Sequence, residues 1–306
     1  MAEEKKVLVY DRIGANRRST FLLLAVFILF VGAFLVAMGI VLGLPLPYTP
    51  FLIVPVIIYA LFSYYGSMGV TLAVSQAHEV TKEQEPELYR TVENLCIGAG
   101  LPLPKIYVIE DGSPNAFATG RDPNHAVVCV TRGLLQKMDH LELEGVIAHE
   151  LSHIGNYDIR LMTLVVVLIG VVALLADFMF RFTIWGAGGR AGNRERSGGS
   201  AVLIIYAVAL IAAILAPIAA QLIRLALSRQ REYLADASAA LLTRYPEGLA
   251  RALEKIAADD EPLAEANKAT AHLYIANPLH EHASFFNDLF STHPPIEKRI
   301  ALLRAM

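Results

Sequence analysis

His149-Glu150-Leu151-Ser152-His153 lies within Asp139 to Asn156, a stretch whose apolar residues recur with a helical period. Side chains four residues apart on a helix stack one turn apart on the same face. Both imidazoles can therefore ligate a single Zn²⁺, with Glu150 beside them toward the metal's open position. Zinc lowers the pKa of its bound water to about 7, and a carboxylate so placed takes the proton as hydroxide attacks a polarised peptide carbonyl. One zinc per chain is expected on this reading.

A catalytic zinc of this type takes a third protein ligand. Arg231-Glu232-Tyr233-Leu234-Ala235-Asp236 supplies it on a second helix: Glu232 completes a His₂Glu set, and Asp236, one turn later, is placed to hold a ligating imidazole by its free N–H. That helix follows directly on an apolar run, which brings the bilayer into the argument.

Charged residues make up 18% of the 306-residue chain, against about 25% in a soluble domain. Apolar residues make up 55%, and the mean hydropathy is +0.47. This is the composition of a membrane protein. A net charge of −3 offers nothing to a phosphate backbone, so nucleic acid is excluded as a partner. Two cysteines, Cys96 and Cys129, form no disulfide or metal motif and read as buried apolar residues.

Ser19 to Ala77 is 59 residues without Asp, Glu, Lys, Arg or His, too long for one crossing of about 20 residues. It divides at Pro45-Leu46-Pro47-Tyr48-Thr49-Pro50 into spans Thr20 to Leu44 and Phe51 to about Ser75, with a kink expected at Pro55. A third run of 16 residues lies between Arg160 and Asp177, and a fourth, Ser197 to Ile223, has 27. About four transmembrane helices follow. The segments are then 1–77, an amino-terminal tail and membrane hairpin; 78–159, the first half of an aqueous domain; 160–223, a second hairpin with a basic loop; and 224–306, the second half.

In the first polar block Glu83 to Ala99 reads as a helix ended by glycine, and short β-rich runs occur at Lys105 to Glu110 and Ala126 to Val130. His153 and Glu232 flank two apolar runs, so an even number of crossings is needed to bring them together. Lys5, Lys6, Arg12, Arg17 and Arg18 flank the first span and place the amino terminus, and with it the metal site, in the cytoplasm. The arginines at 181, 190, 194 and 196 in the loop between the third and fourth runs argue the opposite way. His280-Glu281-His282 reads as a solvated loop.

Together these motifs resemble the HtpX-type integral-membrane zinc metalloproteases, relatives of the type I CAAX prenyl endopeptidases. The likeness covers nearly the whole chain, through Asn115-Ala116-Phe117-Ala118, the extended His149 to Asp158 segment, Glu232-x-x-x-Asp236, and a late His293-Pro294 followed by Arg299. It implies an α-helical membrane protein carrying a cytosolic α+β zincin-like (Glu-zincin) domain. It also implies cleavage of unfolded or membrane proteins in quality control and stress response, at the cytoplasmic (inner) membrane. By that likeness Asn115, Ala116, Phe117 and Ala118 form the edge strand that pairs with substrate backbone, and His293 and Arg299 stabilise the transition state or substrate. Two other readings are weighed against it: a metal transporter or sensor, and an inert membrane scaffold. Transporters place ionisable groups within their spans, whereas these apolar runs are uncharged, and a structural zinc site has no use for a general base such as Glu150.

Overall fold

The computed structural model describes residues 53–188, 229–259, 274–275 and 294–306, with isolated positions between 25 and 51. The fourth apolar run, the loop residues 189–196, His280 to His282 and His293 lie outside the described residues. By its internal contacts the chain forms two compact units. One comprises Met1–Val26, Tyr64–Thr163 and Leu227–Met306, the other Phe27–Ser63 and Leu164–Ala226.

Helix α1, Ile53–Val74, is by itself long and apolar enough to cross a bilayer, and no other described helix meets that test alone. Its 22 residues include no charged side chain, and Ile58, Leu61 and Phe62 stay more than half exposed. Pro55 does not kink it. The proline lies in the first turn, where its missing N–H would have had no intrahelical partner. The third apolar run belongs to a longer helix, α5 (Asp158–Gly188, 31 residues). This helix continues through Asp177, whose carboxylate accepts a bond of 2.6 Å from Arg181 one turn later.

The other unit is built on a four-stranded sheet in the order β1-β2-β4-β3. Strand β1 (His78–Glu79) is antiparallel to β2 (Lys105–Ile109), β2 is parallel to β4 (Ala126–Thr131), and β4 is antiparallel to β3 (Ala116–Gly120). Alternation sends Ile106, Val108, Ala116, Ala118, Val128 and Val130 into the main core, while Phe117, Cys129 and Ile109 face a second cluster around Tyr274.

Helix α2 (Pro86–Ala99) begins three residues later than its composition suggests, because proline takes the first helical position; Gly100, at φ 66°, closes it in the left-handed region. A short α3 (Arg132–Lys137) follows β4. Helix α4 (His140–Gly155) opens on a capping box in which Asp139 accepts from the Glu142 N–H and Glu142 accepts from the Asp139 N–H. It runs through the centre of the unit, packed by α2, by β3 and β4, and by α6 (Arg229–Thr243) and α7 (Pro246–Ala257). The α4–α7 approach depends on two glycines. A Cβ at Gly145 would lie 2.6 Å from the Leu249 nitrogen, and one at Gly248 would lie 2.5 Å from the Leu141 oxygen. Helix α8 (Ile296–Arg304) packs on α7 and α6.

Candidate metal centre

His149 and His153 are one turn apart on α4, both buried, with their Nε2 atoms 3.2 Å apart. Glu232, in the first turn of α6, reaches in from the other side: its carboxylate oxygens lie 3.6 Å from His149 Nε2 and 3.5 Å from His153 Nε2. Two donors bound at about 2.0–2.1 Å to one tetrahedral zinc stand about 3.3 Å apart, so the two Nε2 atoms and the Glu232 carboxylate, one oxygen toward each imidazole, have the spacing of a zinc site.

Each imidazole is held from behind. His149 Nδ1 is 3.0 Å from Asp236, as the sequence leads one to expect. His153 Nδ1 is 3.1 Å from Asp158, which sequence reasoning missed. With both Nδ1–H groups donating to carboxylates, both Nε2 atoms carry lone pairs that face each other across 3.2 Å. That juxtaposition repels unless a proton or a metal ion lies between them, and with a metal it is the carboxylate–histidine–metal arrangement. Charge points the same way. Glu150, Glu232, Asp158 and Asp236 are balanced among the described residues by Arg231 and Arg299, leaving two negative charges for one divalent cation. Burial disfavours the charged form of His149, yet Asp236 and Glu232 outweigh it and pull its pKa up to about 9. The donor set fits zinc.

Asp158 was hidden by an elbow in the chain. Five residues beyond His153 it is out of phase with the ligand face of α4, but the helix stops at Gly155 and Tyr157 adopts φ 61°. The chain turns there and returns the first residue of α5 beneath His153. Gly155-Asn156 was the available signal for that break.

Glu150 is 2% exposed. Burial raises its pKa, partly countered by the two histidines and by the Ala118 N–H that its carboxylate accepts. This bond ties Glu150 to strand β3. Asn115 is turned the other way: its N–H donates to Thr131 Oγ1 at 2.8 Å and its carbonyl accepts from the Thr131 N–H at 2.9 Å. The pairing register therefore directs the backbone groups of Ala116, Ala118 and Gly120 to the outer edge, and those of Asn115 and Phe117 toward β4. The edge already has company, since the Ala116 carbonyl accepts the Ile275 N–H at 2.9 Å and the Gly120 carbonyl accepts Thr163 Oγ1 at 2.9 Å. Tyr274 stacks edge-on against Phe117, with centroids 5.0 Å apart.

Arg299 is fully buried. Its guanidinium grips Asp236 in a fork (Nε to Oδ2 2.9 Å, Nη2 to Oδ1 2.7 Å) and donates to the Ile275 carbonyl at 3.1 Å. It thus stands behind the carboxylate that orients His149. Its Nη1 also lies 3.6 Å from a Glu232 oxygen. Burial works against the Asp236 anion, but Arg299 and the bond from His149 outweigh it and hold its carboxyl below the ordinary range.

An α+β domain whose central helix presents two histidines and a buried glutamate, completed by a glutamate from a second helix, defines a metallopeptidase of the HExxH type. The comparisons agree. The sequence model of Peptidase family M48 matches residues 82–306, and the chain belongs to that family. Over 299 residues it is 46% identical to a "Protease HtpX homolog" of Tropheryma whipplei (strain TW08/27), covering 98% of this chain and 99% of that one. A protein of the same name from Dictyoglomus thermophilum is 48% identical over 304 residues, 99% and 96% of the two chains. One from Listeria monocytogenes serotype 4a is 46% identical over 310 residues, 98% and 100%. Among solved structures, that of S. mikatae Ste24p superposes with a TM-score of 0.51 at 17% identity, over 95% of this chain and only 66% of the other, a likeness of fold. The protein is a metalloprotease.

Proposed function

We propose that the chain is a membrane-anchored zinc endopeptidase that cuts unfolded or membrane-protein segments on the cytoplasmic side, in membrane-protein quality control. The observation that carries the zinc reading is the triangle of His149, His153 and Glu232, with both imidazole Nδ1 atoms engaged by aspartates. When bound, zinc supplies a Lewis acid for the scissile carbonyl and an acidified water. Glu150 takes the proton of the attacking water and holds it for the leaving nitrogen, a task suited to a buried carboxyl of raised pKa. Extended substrate backbone lies along the outer edge of β3, where the backbone groups of Ala116 and Ala118 point outward, so that register rather than side-chain identity sets the cut. Asn115 and Phe117 shape that strand from within, and His293 serves as an added donor to the developing oxyanion.

Membrane anchoring is supported by α1 and by the uncharged runs of the sequence, which on this reading form two hairpins that alternate along the chain with the segments carrying the metal site. The test is digestion of an unfolded protein by the detergent-purified chain, with and without chelator. Cleavage lost to chelator and restored by Zn²⁺ is expected; cleavage indifferent to both would overturn the reading.

A further inference from the structure

Arg231 precedes the ligand Glu232 on α6 but projects from a different face of the helix, about 100° around. Its Nη1 lies 3.3 Å from Asp158 Oδ1, while the other oxygen of that carboxylate, Oδ2, lies 3.1 Å from His153 Nδ1. Asp158 is completely buried, and the Arg231 side chain is 13% exposed. The arrangement repeats, on the second histidine, what Arg299 and Asp236 do for the first: guanidinium, carboxylate, Nδ1. It also ties the helix that carries the third ligand to the elbow beneath the second.

We infer that Arg231 is a positioning residue of the metal centre, holding the Asp158 carboxylate on His153 Nδ1 so that His153 Nε2 meets the ion, and locking α6 to the α4–α5 elbow. The two arms differ in kind. Arg299 forks onto both oxygens of Asp236, a geometry lysine does not reproduce. Arg231 makes one N–O contact with Asp158, which an ammonium can replace. The inference rests on the zinc reading, and it opposes the simplest electrostatic expectation. Removing a positive charge beside a cation site should strengthen cation binding, whereas removing an orienting group weakens it, typically 10–100-fold.

The test is the zinc dissociation constant of the full-length, detergent-solubilised chain, measured by competition with a chromophoric chelator in the Glu150→Gln background. Arg231→Met is expected to bind zinc about 10–100-fold more weakly, with Arg231→Lys within about threefold of the parent and Arg299→Lys clearly weaker. Melting of the zinc-free protein separates this from a purely structural role, which would lower the melting temperature and leave the affinity of the folded fraction unchanged. Arg231→Met binding as tightly as the parent, or more tightly, overturns the inference. If Arg231→Met does not fold, Arg231→Lys decides: a tenfold loss there, with the cation retained, overturns it. A parent that binds no zinc overturns the zinc reading and this inference together.

Discussion

Glu150 and His149 are neighbours in the chain, both buried and both acted on by the Glu232 carboxylate, yet their side chains have separate tasks. His149 contributes Nε2 to a triangle of donors; Glu150 leans toward β3 and accepts the Ala118 N–H. The division predicts opposite behaviour on substitution. Glu150→Gln should keep stoichiometric zinc while turnover falls by about 10²–10⁴, the usual contribution of a positioned general base. His149→Ala, His153→Ala and Glu232→Ala should lose zinc itself. Metal analysis of the purified variants beside a cleavage assay checks both halves, and a Glu150→Gln chain without zinc would show that ligand and base had been misassigned.

At the scale of elements, α4 carries three of the site's residues and is the most enclosed helix of its unit, so its packing and its chemistry are coupled. Where α7 crosses it, Gly145 has no room for a methyl group: the added Cβ would meet the Leu249 nitrogen at 2.6 Å, and backbone cannot rotate away. Gly145→Ala should cost about 1–3 kcal/mol through overpacking, read as a lower denaturation midpoint, with weaker zinc retention because the ligand turns shift with the helix. Parent-like stability would mean that α4 and α7 stand farther apart. Strand β3 yields a second expectation. A peptide paired along its edge must take over the Ala116 carbonyl, which the Ile275 N–H now occupies. Hydrogen exchange at the Ile275 amide of the Glu150→Gln chain should therefore speed up when an unfolded peptide binds. Unchanged protection at Ile275 under saturating peptide would put the substrate elsewhere.

At the scale of the whole molecule, the proposed topology assigns each loop a side of the bilayer. The proposed two-hairpin topology leaves the site cytoplasmic and residue 193 on the opposite face. Asn193→Cys tests this against a quiet background, because Cys96 and Cys129 are both buried and burial pushes both thiols up, Cys96 to about 11. The introduced thiol should react with an impermeant reagent from the outside of intact cells. Reaction only after the cytoplasm is opened would mean that the third and fourth runs do not cross.

Much of the centre was legible in the chain because a helix converts spacing into direction: four residues return a side chain to the same face, so His149 and His153 had to share one, and Asp236 had to stand one turn from Glu232. The uncharged runs and the helix from about Asp139 to Asn156 were equally local facts. The residues that hold those ligands in place were decided by tertiary structure. Asp158 comes beneath His153 through a left-handed turn at Tyr157, Arg231 meets Asp158 from 73 residues away, and Arg299 reaches Asp236 across 63. The same packing turned the Asn115 N–H inward to Thr131, away from the outer edge of β3. Periodicity fixes direction only within one element; which elements meet, and what their backs touch, follows from the burial of a shared core that no local pattern specifies.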